Sequence, residues 1–369
     1  VIGNMGLFRL HQRVGTWEEA RKVGQRLSRL DLEPDVRAGI LCDVGAICRD
    51  ELEDFKQARL AYERALRSVP NYIPALTGLA ETFAARGEPA RAAVYLARLA
   101  EEASRDGRDD DVVSLYLRIG ELWETQLKDE QTAGEYYQRV LKVNPRHCPV
   151  RFRLATLADR SGELEQARLY YEDILTLAED PTELDSEQYV IDGNLRLADV
   201  ILRLEGRTQA AANCYERVLA LNPDHVEALT AICPLLNELR RYERLVRVQE
   251  RLAHIAEDPA EERRLLVSTA RLLQERLSDL KGARRLLALV LEHEPDDAEA
   301  LDLLMGILQL QGDADGLSQL LSRAAEASEE PQRRVELYLE LSDVLADLGA
   351  PVDKRADALR AALDLEPLQ

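Results

Sequence analysis

The sequence predicts an all-α repeat array, and three observations carry that prediction. A nineteen-residue pattern occurs three times, as LEDFKQARLAYERALRSVP (52–70), LKDEQTAGEYYQRVLKVNP (127–145) and LSDLKGARRLLALVLEHEP (277–295). Prolines recur at Pro70, Pro145, Pro223, Pro295 and Pro367, spaced by 75, 78, 72 and 72 residues. The composition is that of long helices: charged residues make up 31%, aromatics 5%, and no alternating β-branched run reads as a strand.

Each nineteen-residue stretch is one structural unit. It opens Leu-x-Asp, places Ala at 58, 133 and 283, and ends in proline twelve residues later. Four and seven residues after the alanine come Tyr62 and Ala65, Tyr137 and Val140, and Leu287 and Val290. Those offsets lie on one stripe of a helix. The small residue lets a second helix approach, and the large one fills the space beside it. Proline then ends the helix, because it lacks an N–H and disfavours helix in the residue before it. Ala211 holds the same place before Pro223, and Arg355 holds it before Pro367. The four alanines are expected to be almost fully buried.

Quieter units fill the gaps. IPALTGLAETFAARGEPARAAVYLARLAE (73–101) carries Leu79-Ala80, Phe83, Gly87, Ala92, Leu96 and Leu99. CPVRFRLATLADRSGELEQARLYYEDIL (148–175) carries Leu154-Ala155, Ala158, Gly162, Ala167, Tyr171 and Ile174 at identical spacings. The louder units match them with one extra residue between helices, and their first helices hold Val44-Gly45, Ile119-Gly120, Leu197-Ala198 and Ala270. A further unit opens the chain at GLFRLHQRVGTWEEARKVGQRLSRL, with Gly15, Trp17 and Ala20. This pattern resembles the tetratricopeptide repeat family, whose units pair two helices over about 34 residues. The resemblance covers nearly the whole chain. It implies a right-handed superhelical solenoid of about ten helix pairs arranged as five doublets, continuous over 1–369.

Three departures modify that expectation. Pro234 falls inside a first helix, with Leu245 and Gln249 at the places of the alanine and the aromatic, so either a joint or kink near 226–260 or a slight bend absorbed without consequence is expected. Arg355 in place of alanine makes 335–369 an atypical terminal unit, because an unpaired buried guanidinium is costly. The acidic stretches 101–111 and 178–188 are read as helix ends and solvated loops. Their spacing does not fit a calcium loop.

The sequence holds no phosphate loop, no G-x-G-x-x-G, no HExxH and no nucleophile elbow. No catalytic, metal or cofactor site is expected, and the chain is not read as an enzyme. His147 and His225 each follow a unit-ending proline by two residues, which marks a connection and not a ligand. Tyr116, Tyr137, Tyr170, Tyr171 and Tyr215 fall at helical core offsets. Cys42, Cys48, Cys148, Cys214 and Cys233 form no CxxC and read as packing thiols, which favours a reducing, cytoplasmic setting. No apolar run approaches the roughly 18–20 residues that cross a bilayer. The chain opens on Val1 within a repeat and is expected to be a fragment or a processed product.

What remains is a surface. The resemblance implies that the first helix of each unit lines a concave groove. The matching positions include Glu81, Glu121, Glu124, Asp159, Asp192 and Asp199, with Arg264 and Arg271 as a local basic exception. The Lys/Asn/Arg clamp of the chaperone-binding members is absent. A net charge of −20 opposes nucleic acid and anionic membrane as partners. The expected function is a protein-interaction scaffold or adaptor that takes a partner segment, basic in character, in this groove. The alternative is the substrate-recruiting or sensor segment of a larger enzyme whose catalytic domain lies outside this chain.

Overall fold

The computed structural model describes residues 2–178, 186–328, 330–347, 349 and 351–365, and within these it contains twenty α-helices and no strand. They follow as consecutive pairs: α1 (Ile2–Val14) and α2 (Trp17–Leu27), α3 (Pro34–Ala46) and α4 (Phe55–Ser68), α5 (Ile73–Ala85) and α6 (Pro89–Arg105), α7 (Asp109–Glu121) and α8 (Glu130–Val143), α9 (Cys148–Ser161) and α10 (Leu164–Ala178), α11 (Ser186–Glu205) and α12 (Thr208–Leu221), α13 (Val226–Glu238) and α14 (Tyr242–Ile255), α15 (Pro259–Leu272) and α16 (Leu280–His293), α17 (Ala298–Gln311) and α18 (Ala314–Ala327), and α19 (Pro331–Asp347) and α20 (Val352–Leu365). The chain divides into two compact units, Val1–Val200 and Ile201–Gln369. From α1 to α10 and from α12 to α20 each helix packs on the next, and first helices also touch the following first helix, as α3 does α5 and α15 does α17.

The core is a series of small-against-large contacts. Ala58, Ala133, Ala211 and Ala283 are all 0% exposed. Tyr62 on α4 is wedged between Gly45 on α3 and Gly78 on α5: a Cβ added at those glycines would lie 2.7 and 2.2 Å from its ring. On α8, Tyr137 sits the same way against Gly120, at 2.4 Å. Each buried large side chain contributes about 1.5–3 kcal/mol, provided its neighbour is small enough to admit it.

The extra residue of the louder units has a definite location. It is absorbed as a π-helical turn at the end of the first helix, at Ile47–Glu51, Leu122–Gln126 and Leu273–Leu277. After each turn the chain reverses through a left-handed residue, Glu53, Lys128 or Ser278. Asp54, Asp129 and Asp279 then cap the second helix by accepting from the backbone N–H of Gln57, Thr132 and Gly282. These aspartates are the Asp of Leu-x-Asp. The quieter units reverse through Gly87, Gly162 and Gly312 with no π turn. So does the α11–α12 connection, which uses Gly206 and lacks the Leu-x-Asp signature.

The prolines act one residue upstream. α4, α8, α12 and α16 all stop before Val69, Asn144, Asn222 and Glu294, whose backbones are extended because each precedes proline. Pro367 lies outside the described residues. Two residues on, His147 and His225 start the next helix, each Nδ1 accepting from a backbone N–H at 3.3 Å. Both histidines are therefore capping groups. The acidic stretch at 101–111 contains the end of α6, a turn at 106–108 and the start of α7; 179–185 lie outside the described residues.

The departures are accommodated locally. α13 stays helical through Pro234, with Leu229, Ile232, Leu235 and Leu236 buried on both sides of it. Leu245 is buried at the alanine place, and Gln249, at the aromatic place, accepts a hydrogen bond from Thr269 Oγ1 at 3.2 Å. In the last pair Arg355 is partly buried with its Nε unpartnered. Among the described residues of α20, burial is confined to Ala358 and Ala362, three and seven residues on, as at Ala61 and Ala65, while Leu359, at the large-residue place, is 40% exposed.

Two outcomes test this packing. Gly120→Ala should destabilise by about 1–3 kcal/mol through overpacking against Tyr137. Gly134→Ala, where an added Cβ meets nothing nearer than Leu154 at 4.0 Å, should stabilise by about 0.5–1 kcal/mol, both read by urea unfolding. The Asp129 cap predicts a pH effect. Hydrogen bonds from the backbone and side chain of Thr132 hold its carboxyl below the usual aspartate range. A depressed folded value means stability that is present above the unfolded pKa and lost as pH falls through the folded one. Below about pH 4 the parent should therefore lose more Tm, relative to neutral pH, than Asp129→Asn, which cannot titrate.

Candidate functional site

The first helices of the Val1–Val200 unit present a polar face that sequence reading expected to be a wall of carboxylates. The structure places Glu81 on α5, Glu121 on α7, Glu124 in the π turn that follows, Asp159 on α9, and Asp192 and Asp199 on α11. It also places arginines among them. Arg49, in the first π turn, pairs with Glu81. Arg153 on α9 reaches back one repeat to Glu121 at 2.8 Å and Glu124 at 3.3 Å. Arg160, one helical stretch further, contacts Glu124 at 3.6 Å and Glu130 at 3.3 Å. Asp192 accepts from Gln188 Nε2 at 2.9 Å.

Buried tyrosines tie this face to the core. Tyr137 is 0% exposed, and its hydroxyl donates to Glu124 Oε2 at 2.7 Å from beneath the surface. Burial pushes its pKa up, and the Glu124 carboxylate adds to the rise. Tyr171 repeats the arrangement one unit on. Burial raises it, a hydrogen bond with Thr156 partly offsets the rise, and Asp159, Arg196 and Asp199 all act on it, so those two carboxylates share one neighbourhood with a guanidinium. Tyr62 stands in the same relation to Arg49 and Glu81. The large residue that locks the helices thus also delivers a polar group to the first-helix face. Tyr215 is buried as well, whereas Tyr116 and Tyr170 are only part-buried, and Tyr116 packs on Tyr136 with the Arg139 guanidinium over both rings.

The basic exception lies in the Ile201–Gln369 unit. Arg264 pairs with Glu261 one turn away, and Arg271 donates to Glu299 on α17 at 2.7 Å. Beside them Arg263 binds Asp297, itself the cap of α17. Sequence reading missed Arg49, Arg153 and Arg263 because it ranked positions by unit number. The usable signal was an arginine roughly one repeat away from a selected carboxylate.

Other chemistry is not assembled here. Among the described residues, no group of three or more His, Cys, Asp or Glu side chains could hold a metal ion, and no helix is long and apolar enough to cross a membrane. All five cysteines are free thiols, and burial pushes Cys42 up to about 12 and Cys48 and Cys233 up to about 11, far from the reactive range.

Comparison with known proteins gives one consistent family. Tetratricopeptide repeat models match residues 49–108 and 193–225. No curated protein matches the sequence. Among solved structures, a chain of Naa15/Naa10 bound to HypK-THB is similar at 16% identity and a TM-score of 0.47, over 97% of this chain and 57% of that one. This chain therefore spans little more than half of that one. YrrB, a TPR protein with an unusual peptide-binding site, is similar at 18% identity and a TM-score of 0.35, over 53% and 91%. A tetratricopeptide repeat protein from Parabacteroides merdae is similar at 16% identity and a TM-score of 0.36, over 68% and 98%.

Double-mutant cycles in urea should separate surface decoration from structure at this face. The Arg153–Glu121 pair, between half-exposed side chains, should couple by about 0.2–1 kcal/mol. The Tyr137–Glu124 pair, a hydrogen bond to a charged and mostly buried carboxylate, should couple by about 1.5–3 kcal/mol.

Proposed function

We propose that this chain, a member of the tetratricopeptide repeat superfamily, is a protein-binding scaffold whose first-helix face in the Val1–Val200 unit receives a basic segment of a partner. The observation that carries the reading is a surplus of carboxylate. Glu121, Glu124 and Glu130 share only Arg153 and Arg160. The two arginines hold three acids in place without neutralising them. A partner lysine or arginine can replace Arg153 at small cost, because an exposed ion pair is worth about 0.2–1 kcal/mol. The acids are already oriented, so little ordering entropy opposes the exchange. Encounter would be steered by charge and screened over about 8 Å at physiological salt. This reading assigns the face no catalytic step; what its described residues offer is oriented charge. Arg264 and Arg271, each held by its own glutamate, stabilise their unit in this reading.

The test uses the isolated partner segment once it has been captured. Glu121→Gln/Glu130→Gln alters two exposed acids and leaves the Tyr137–Glu124 bond intact. It should weaken binding about tenfold at low salt and much less at high salt. A partner whose affinity ignores both the substitution and the salt places recognition elsewhere.

A further inference from the structure

The second helices form a separate surface, and one place on it is built differently from its repeats. Between α8 and α10, over α9, lies a cleft of about 680 Å³. Its floor is Leu154 and Leu157, and its walls include Gly134 and Glu135 on one side and Glu163 and Tyr170 on the other. Corresponding clefts lie between α12 and α14 and between α16 and α18. Both of those are lined by arginines: Arg244 and Arg247 in one, Arg284 and Arg323 in the other. The α8–α10 cleft has acidic lining residues and not one lysine or arginine.

The register explains the difference. Gly134 follows Ala133 as Arg284 follows Ala283, and Glu163 follows the left-handed Gly162 as Asp313 follows the left-handed Gly312. In the later cleft Arg284 crosses to Asp313 at 3.0 Å. In the earlier one the arginine is a glycine, and Glu163 is left exposed with no cation. Glu135 beside it is likewise exposed and unpaired, while Glu130 is held by Arg160 at 3.3 Å.

We infer that the α8–α10 cleft is a second docking site, which takes a basic amphipathic segment of another protein. The partner's arginine or lysine stands at Glu163 where Arg284 stands at Asp313, and its apolar side chains rest on Leu154 and Leu157. Helix-in-groove binding of this kind needs an apolar floor and a charged rim, and both are present. The site meets the acidic first-helix face at Glu130, which lines the cleft, and is distinguished from it by Glu135 and Glu163, while Glu81, Glu121 and Glu124 lie outside it.

The test needs no natural partner. The probe is a fluorescein-labelled amphipathic peptide of leucine and arginine, about fifteen residues long, titrated by anisotropy against the full 369-residue chain. A leucine and glutamate peptide of the same pattern serves as control. Gly134→Arg supplies the internal cation that the later cleft already has, so it is compatible with the fold, and it should weaken the basic peptide about tenfold or more. Glu135→Gln/Glu163→Gln, at two exposed positions, should do the same. Gly134→Ala and Glu81→Gln/Glu121→Gln, none of which removes an acid of the cleft, should leave this binding within about twofold. The inference is overturned if the basic peptide does not bind, or if Gly134→Arg and the double glutamine variant bind it like the parent. An equal loss with Glu81→Gln/Glu121→Gln also overturns it, because the attraction would then be that of a −20 chain as a whole. A loss there without a loss at Gly134 would support the first-helix reading alone.

Discussion

Close approach between consecutive helices is the constraint on which the rest of this structure depends. Tyr62 and Tyr137 fit only because Gly45, Gly78 and Gly120 carry no Cβ. The four alanines of the louder units are wholly buried for the same reason. A chain with 5% aromatic residues has few large side chains with which to fill a core. It concentrates them where a small neighbour gives each one full contact, and the remaining surface is left to charge. The hydroxyls of Tyr137 and Tyr171 then reach the polar face from inside, so packing and surface chemistry are joined through single residues.

The charged surface has its own order. Arg49–Glu81, Arg153–Glu121, Arg160–Glu130, Arg271–Glu299 and Arg284–Asp313 all join residues 28–32 apart, one repeat along the chain. Each pair is weak by itself. Together they set the directions of many acids, and they make the exceptions legible. Where Arg284 is replaced by Gly134 in the register, the bond across the cleft disappears and an acid is left facing solvent.

The extra residue of the louder units shows how local chemistry and packing divide the work. An α-helix cannot absorb one added residue without turning its buried stripe by about 100°. The π turns at 47–51, 122–126 and 273–277 take up that residue before the reversal. The capping aspartates then restart the second helix, so Ala58, Ala133 and Ala283 still face inward. In the last pair, Arg355 replaces the alanine and the buried stripe shrinks to Ala358 and Ala362.

Small and large residues at helical offsets, prolines one repeat pair apart and the Leu-x-Asp signature were enough to determine helix order and the buried alanines, and they marked His147 and His225 as connection residues, whose capping bonds only the structure shows. All of these are short-range: they depend on period, on the backbone limits of residues before proline, and on side chains bonding N–H groups three residues away. The first-helix acids were legible as positions, but their partners were not. An ion pair between Arg153 and Glu121 depends on how two helices lie side by side, and no local pattern encodes that distance. The same holds for the α8–α10 cleft. Gly134 looks like any glycine in a helix until Leu154, Glu163 and Tyr170 are brought around it, and only the tertiary structure decides that the space it leaves is open, apolar at its floor and without a cation.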